Sequence, residues 1–424
     1  MKKSDILVSG FALFAMFFGA GNLIFPPYLG MTGGSSWWLG FLCFALVEVV
    51  LSCLGIYAMI AAGGSVPAMR DSVGRAPGAV LNTAAILCTG VFIAPPRTAA
   101  TTYEMAIAPL TDKLGLFPFS VLFFAAVLAL TIRRTRIVDI IGKFLTPILI
   151  VGILLLIAVG IARPIGPLAP SASAHIAQDG LVAGYQAMDI ISVAGFTIVV
   201  QNNLRRHGYT DRREQRRAAA ASSALAGALL CLIYGGLTYL GATTSGGFGH
   251  GLDQAGLIVA ITHELLGRGG VAVLGVVVGC ACLTTAIGLF GATAAYFEEI
   301  TGGRLRYQVS IPILALIGLA ICNLGLSAII EIAAPVLSVI SPPFITTVFL
   351  LLFRGRIANA NVYKGAALGA ALASLLIALC PYWSALAFVE AVPFYRTGFG
   401  WLLPAALGGL CGAWIRPIRR AENT

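Results

Sequence analysis

The chain has 424 residues, of which 58% are hydrophobic and only 10% charged, and a net charge of +10. Soluble globular proteins carry about 25% charged residues, so the composition excludes a soluble domain and describes a polytopic membrane protein. The positive charge does not call for a nucleic acid, because almost all of it falls in loops on one side of the predicted spans, the run from Arg205 to Arg217 included.

Twelve apolar spans are predicted in chain order: 5–30, 37–62, 80–108, 118–132, 139–162, 181–203, 218–243, 269–297, 308–322, 325–353, 363–381 and 399–416. Most reach the roughly 20 residues needed to cross a bilayer; the fourth and ninth are the shortest. The first is too long and too interrupted for a signal peptide and is expected to stay in the mature chain. It contains, at 17–30, FFGAGNLIFPPYLG. Gly19, Gly21, Asn22, Pro26 and Pro27 predict a helix broken within the membrane. In lipid each unpaired backbone group costs several kcal/mol, so such a break survives only against protein or a wet cavity. It exposes N–H groups on one half-helix and carbonyls on the other, an arrangement secondary transporters use to hold a zwitterion and a cation.

The sixth span carries a second interruption, 184–189 (GYQAMD), followed by Ser192 and Gly195. Interrupted segments at matching positions of two halves point to a transport site, and these two lie five spans apart. The loops at 163–180, 204–217 and 244–268 are the longest hydrophilic stretches; within the last, 253–266 has apolar residues at helical spacing and reads as a short helix or a plain surface loop. Glycine pairs four apart, Gly275/Gly279, Gly365/Gly369 and Gly408/Gly412, would let helix backbones approach closely.

With the N-terminus in the cytoplasm and twelve crossings, Lys113, Arg163, Arg268 and Arg396 fall outside and Arg97 falls inside a span, leaving the other 22 of the 27 lysines and arginines on the cytoplasmic side. That is the bias positive-inside insertion demands. The nine cysteines lie in spans and form no CxxC, and the four histidines lie in loops. No disulfide framework, zinc site or nucleophile–base pair is therefore expected, which argues against an intramembrane enzyme.

Glu48, Arg97, Glu104, Asp189 and Glu331 are the ionisable residues within spans. Each costs about 3 kcal/mol at the bilayer centre on insertion scales and is expected to face protein or water. Asn22, Glu48, Arg97 and Asp189 fall at similar depth; either Glu48 or Asp189 is a partner for Arg97, as part of a site or as an ion pair that orients helices. Glu104 and Glu331 read equally well as interfacial. In the eighth span Ala281, Thr284 and Thr285 stand at i, i+3 and i+4, an oxygen set that suits a hard cation, although threonine also bonds back to its own helix.

The segment 18–30 (FGAGNLIFPPYLG) resembles the bacterial branched-chain amino acid:cation symporter family. The resemblance continues at 96–98 (PRT) with Glu104, at Gly184-Tyr185 and Met188-Asp189, at 282–289 (CLTTAIGL), at 323–327 (NLGLS), and at 335–337 (PVL) with Pro342-Pro343. The chain departs from the family pattern at Pro95, Ala187 and Ser341. The resemblance implies an all-α membrane protein of about 12 transmembrane helices with a five-plus-five inverted repeat and broken helices 1 and 6. The chain would be one transporter domain, 1–424, with repeats at 5–162 and 181–353 and two accessory helices at 363–416, in the bacterial inner membrane with both termini cytoplasmic.

The resemblance also implies a site. Gly19, Ala20, Gly21, Asn22, Arg97, Asp189, Ser192 and Gly195 would hold leucine, isoleucine or valine. The carbonyls of Ala15 and Phe18, with Ala281, Thr284 and Thr285, would surround a sodium ion as the coupling ion. No further cofactor is expected, and the partners are the amino acid, sodium and the lipid bilayer, with no nucleic acid. The expected activity is sodium-coupled uptake by alternating access. Proton coupling through Asp189 or Glu48 on the same fold, or a passive channel, are the rival readings.

Overall fold

The structure, a computed structural model, describes residues 3–111, 113–132, 146–248 and 251–415. Lys2, Arg133, Arg134, Arg136, Lys143, Arg416, Arg419 and Arg420, and the first residues of the predicted span 139–162, lie outside the described residues. Among the described residues the regular elements are helices.

The first predicted span is two helices, α1 (Lys3–Phe17) and α2 (Ala20–Gly33). They part at Phe18 and Gly19, where Gly19 is extended (φ −110°, ψ −163°). The break is thus earlier and narrower than 19–22: Ala20, Gly21 and Asn22 form the first turn of α2, and Pro26 and Pro27 stay inside it. A proline loses the bond to the carbonyl four residues back and crowds that carbonyl, yet α2 continues through both.

After a tight turn at Gly34, α3 (Trp37–Ala45) runs through a π-helical segment, Leu46–Leu51, into α4 (Ser52–Ala61). Short α5 (Ser65–Val73) precedes α6 (Arg75–Leu87), a π-helical turn at Cys88–Phe92, α7 (Ala94–Thr102) and another π-helical turn at Tyr103–Ile107. The next two helices are α8 (Leu116–Thr131) and α9 (Thr146–Ala162).

The sixth predicted span is again two helices, α10 (Ile176–Ala187) and α11 (Asp189–Arg206), joined by Met188 in the left-handed conformation (φ 75°, ψ 7°). One residue carries this interruption, and Ser192 and Gly195 lie inside continuous helix. α12 (Arg212–Ala242) follows, its N-terminus capped by Asp211, which accepts from the N–H groups of Arg213 and Glu214. The segment after 253 is helical: α13 (Gln254–Ile300) begins on an Asp253 cap and kinks at Gly267 (φ 64°), which separates a short helix from the eighth span.

α14 (Tyr307–Cys322) is followed by α15 (Leu326–Leu351), whose first part, Leu326–Ala333, turns by 105° from α14. The last helices are α16 (Ala360–Leu379) and α17 (Leu402–Trp414). Among the described residues six helical stretches are long and apolar enough to cross a membrane, or seven if the bent pair of α14 and the start of α15 counts as one, and five shorter apolar helices of 10–17 residues accompany them.

The residues that hold this bundle together are small. A Cβ on Gly365 would stand 2.1 Å from the carbonyl oxygen of Gly408, and one on Gly408 2.2 Å from that of Gly365. Glycine here lets the backbones of α16 and α17 touch. Gly275 packs on Ala106, but Gly279 meets nothing within 4 Å, so that third pair does not form such a seam. The core is a continuous cluster through Leu13, Phe14, Ile191, Phe196, Ile287 and Phe290. Outside it, large apolar side chains stand bare, among them Val151, Leu316, Leu368 and Leu410. An apolar surface of this kind suits lipid rather than water.

Candidate functional site

The two breaks meet. Asn22, in the first turn of α2, shares the two protons of Nδ2 among Oδ2 of Asp189 at 2.8 Å, the carbonyl of Phe17 at 2.8 Å and the hydroxyl of Tyr234 on α12. One amide therefore ties the end of α1, the start of α11 and the seventh span together. Tyr234 itself is fully buried, stacked on Phe18 and edge-on to Phe44.

Between the breaks lies a hollow of about 20 Å³, room for about one water molecule. Gly19, Ala20, Gly21, Asn22, Arg97, Asp189 and Ser192 all line it, together with Thr285 and an apolar side made by Phe17, Phe196 and Leu289. Phe17 and Phe196 pack edge to face at 5.1 Å. Gly195 does not line the hollow: one turn along α11 from Ser192, it faces Ala292, whose Cβ would be 3.0 Å from a Cβ at Gly195. It was predicted by proximity to the break, and one turn farther along α11 it lies beyond the hollow.

The backbone supplies the polarity. α2 begins at the hollow with no side-chain cap on Gly19, so its first N–H groups lack helical partners and carry the positive end of the dipole. α1 and α10 end there, presenting carbonyls. Close approach at the break needs glycine: a Cβ on Gly19 would be 3.0 Å from Thr285 Oγ1, and one on Gly21 3.0 Å from Arg97 Nη2.

The charged residues cluster without pairing. Asp189 and Glu48 both act electrostatically on Arg97, yet among the described residues neither carboxylate forms an ion pair with it. Arg97 Nε and both carboxylate oxygens of Glu48 are buried without a hydrogen-bond partner. Glu48 sits in the π-helical segment Leu46–Leu51 and is fully buried. Glu104 and Glu331 are exposed and stand apart from the hollow.

An oxygen cluster borders the hollow. Thr284 Oγ1 donates to the carbonyls of Ala15 and Ala281, each at 2.8 Å, and Thr285 Oγ1 to that of Met16 at 3.0 Å. A hydroxyl has one proton to give, so two protons are shared among three carbonyls, two of them at the open end of α1. Thr284 does bond back to its own helix, and reaches α1 as well. The ring of Phe18 stacks on Phe14 and Tyr234; its carbonyl is not among the acceptors of these hydroxyls, whereas that of Met16 is. Met16 and Tyr234 were not anticipated. Met16 is the neighbour of a predicted ligand, whereas nothing about a lone tyrosine in the seventh span marks it.

The sequence model of the family described as branched-chain amino acid transport protein matches residues 2–419. The chain belongs to this family. It is 32% identical to the branched-chain amino acid permease BrnQ of Bacillus subtilis, over all of this chain and 99% of that one. It is 33% identical to the branched-chain amino acid transport system 2 carrier protein of Pseudomonas aeruginosa, over 96% of this chain and 95% of that one. These are transport proteins, and the chain is an integral membrane transporter rather than an enzyme. Its fold is similar to that of a Na+-coupled sialic acid symporter in a substrate-bound outward-open state (TM-score 0.68, 11% identity, 98% of this chain and 91% of that one). It is also similar to MhsT in complex with L-phenylalanine (TM-score 0.54, 17% identity, 95% and 97%). At these identities the likeness concerns the fold.

Proposed function

We propose that this transporter imports leucine, isoleucine and valine together with sodium by alternating access. The observation that carries the reading is the meeting of the two helix breaks through the Asn22–Asp189 hydrogen bond, beside the shared hydroxyl–carbonyl cluster of Thr284 and Thr285. The substrate carboxylate accepts from the N–H groups at Ala20, Gly21 and Asn22. Its ammonium meets the carbonyl ends of α1 and α10 and the carboxylate of Asp189. The aliphatic side chain takes the side of Phe17, Phe196 and Leu289. One methylene in such a pocket discriminates by only about 1–3 kcal/mol, so all three substrates are accepted.

Sodium, as cargo, binds the oxygens of Ala15, Met16, Ala281, Thr284 and Thr285, a donor set of the kind hard cations take. The architecture that serves this is twelve spans with repeats at 5–162 and 181–353 and accessory helices at 363–416, in the inner membrane. Both termini face the cytoplasm, in keeping with the charge bias of the loops.

One observation favours a second reading, proton coupling. Glu48 is fully buried and its oxygens meet no donor, and a buried carboxyl without donors suits a proton carrier. Radiolabelled leucine uptake into proteoliposomes decides between them. An imposed sodium gradient at fixed pH drives accumulation on the first reading. A pH gradient with sodium replaced by a large cation drives it on the second. Equilibration without accumulation in both refutes active transport.

A further inference from the structure

A second, wider cavity of about 390 Å³ lies between α2, α10, α15, α16 and the segment before α17. That size is in the range of small-ligand sites, while the central hollow is about 20 Å³. Arg97 lines both. Among the described side chains that line the wide cavity it is the charged one, and none of them is a carboxylate. The acids that act on Arg97, Asp189 and Glu48, lie off this lining.

The rest of the wall is largely apolar and aromatic. Tyr185 on α10 meets Phe399 edge to face at 6.1 Å, and Phe399 meets Trp401 at 6.4 Å. Phe25 adds a fourth ring beside Arg97, since a Cβ on Gly21 would touch both Arg97 Nη2 (3.0 Å) and Phe25 (3.3 Å). Two donors of these lining residues are buried without partners: Arg97 Nε and Trp401 Nε1. A buried guanidinium lacking an ion pair is costly, and a carboxylate is the group that matches its fork.

We propose that this cavity is a separate site for aliphatic monocarboxylates. The guanidinium of Arg97 takes the carboxylate and the rings of Phe25, Tyr185, Phe399 and Trp401 take the branched tail. Among the described residues of its lining no acid is offered to an ammonium, so the site differs from the central hollow, where Asp189 and helix carbonyls call for one. Leucine without its amino group, 4-methylpentanoate, fits the wide cavity and not the hollow. Once bound, it occupies Arg97 and inhibits amino acid uptake.

The full-length protein in lipid nanodiscs is titrated with radiolabelled 4-methylpentanoate, and leucine uptake is measured in proteoliposomes with the same compound present. Saturable binding is expected. It persists in Asp189→Asn, and weakens about tenfold in Phe399→Ala, which removes an aromatic contact, and in Trp401→Phe, which keeps a ring but removes the Nε1 donor. 3-Methylbutylamine, which keeps the tail and the ammonium but has no carboxylate, does not compete. Absence of saturable binding overturns the site, as does binding lost in Asp189→Asn but unchanged in Phe399→Ala and Trp401→Phe. The inhibition measurement rests on the proposed transport reading, whereas the binding measurement does not. A protein that takes up no leucine yet binds 4-methylpentanoate in this pattern refutes that reading and keeps the cavity site.

Discussion

Two hydroxyl protons cannot satisfy three carbonyls, and this imbalance at Thr284 and Thr285 governs what substitution does there. Thr285→Ala removes an oxygen that faces both the Met16 carbonyl and the hollow. The sodium concentration for half-maximal leucine uptake is expected to rise by about tenfold, the value of one lost charge-assisted contact of about 1.4 kcal/mol, with Thr285→Ser close to the parent. An unchanged sodium dependence in Thr285→Ala removes this residue from the ion site. Gly21 fails for a steric reason. A side chain there runs into Arg97 Nη2 and Phe25 and covers the first N–H groups of α2. Gly21→Leu is expected to insert and fold but to abolish uptake; a variant that transports normally refutes substrate binding at this helix end.

The first helix break was legible in the sequence because its residues announce it: two glycines, an asparagine and two prolines in an otherwise apolar stretch. Its position was less so, since Pro26 and Pro27 turned out to be accommodated within α2 and only Phe18 and Gly19 leave the helix. The second break was legible as an interruption but not at its residue. Met188 is left-handed at φ 75°, a conformation that disfavours non-glycine residues by roughly 1–2 kcal/mol, so no residue type flags it. The Asn22–Tyr234 contact is a tertiary event without local pattern, and glycine spacing alone did not separate Gly365/Gly369 and Gly408/Gly412, which form the seam of α16 and α17, from Gly275/Gly279, which does not. Two expectations follow at this scale. Met188→Gly keeps the break and raises the thermal midpoint in detergent, while β-branched Met188→Val lowers it and slows uptake; the reverse order would mean that the left-handed turn is not retained. Gly408→Leu forces apart backbones that a Cβ would approach to 2.2 Å, and overpacking of this kind costs about 1–3 kcal/mol. Thermal melting of the purified variant checks it, with no loss of stability indicating that α16 and α17 do not touch there.

A hollow of about 20 Å³ does not hold leucine, so the helices around it must move apart for each cycle, and something must drive that motion in one direction. On the proposed reading the drive is sodium. One ion entering down a potential of 100 mV gains about 2.3 kcal/mol, and a tenfold concentration gradient adds roughly 1.4 kcal/mol. With one-to-one coupling the sum supports several-hundred-fold accumulation of leucine. Removing the potential while keeping the gradient leaves about tenfold. Both figures are read from internal radiolabelled leucine at steady state in proteoliposomes, with the potential set by potassium diffusion. Accumulation that ignores the sodium gradient and follows pH shifts the coupling to the proton and to Glu48. Accumulation that follows sodium but ignores the potential means that the loaded carrier moves no net charge. On the proposed reading the sodium oxygens belong to α1 and α13 and the substrate groups to α1, α2, α10 and α11, so α1 serves both. Tight coupling requires that α1 cannot leave Thr284 and Thr285 with the substrate still bound at Asn22.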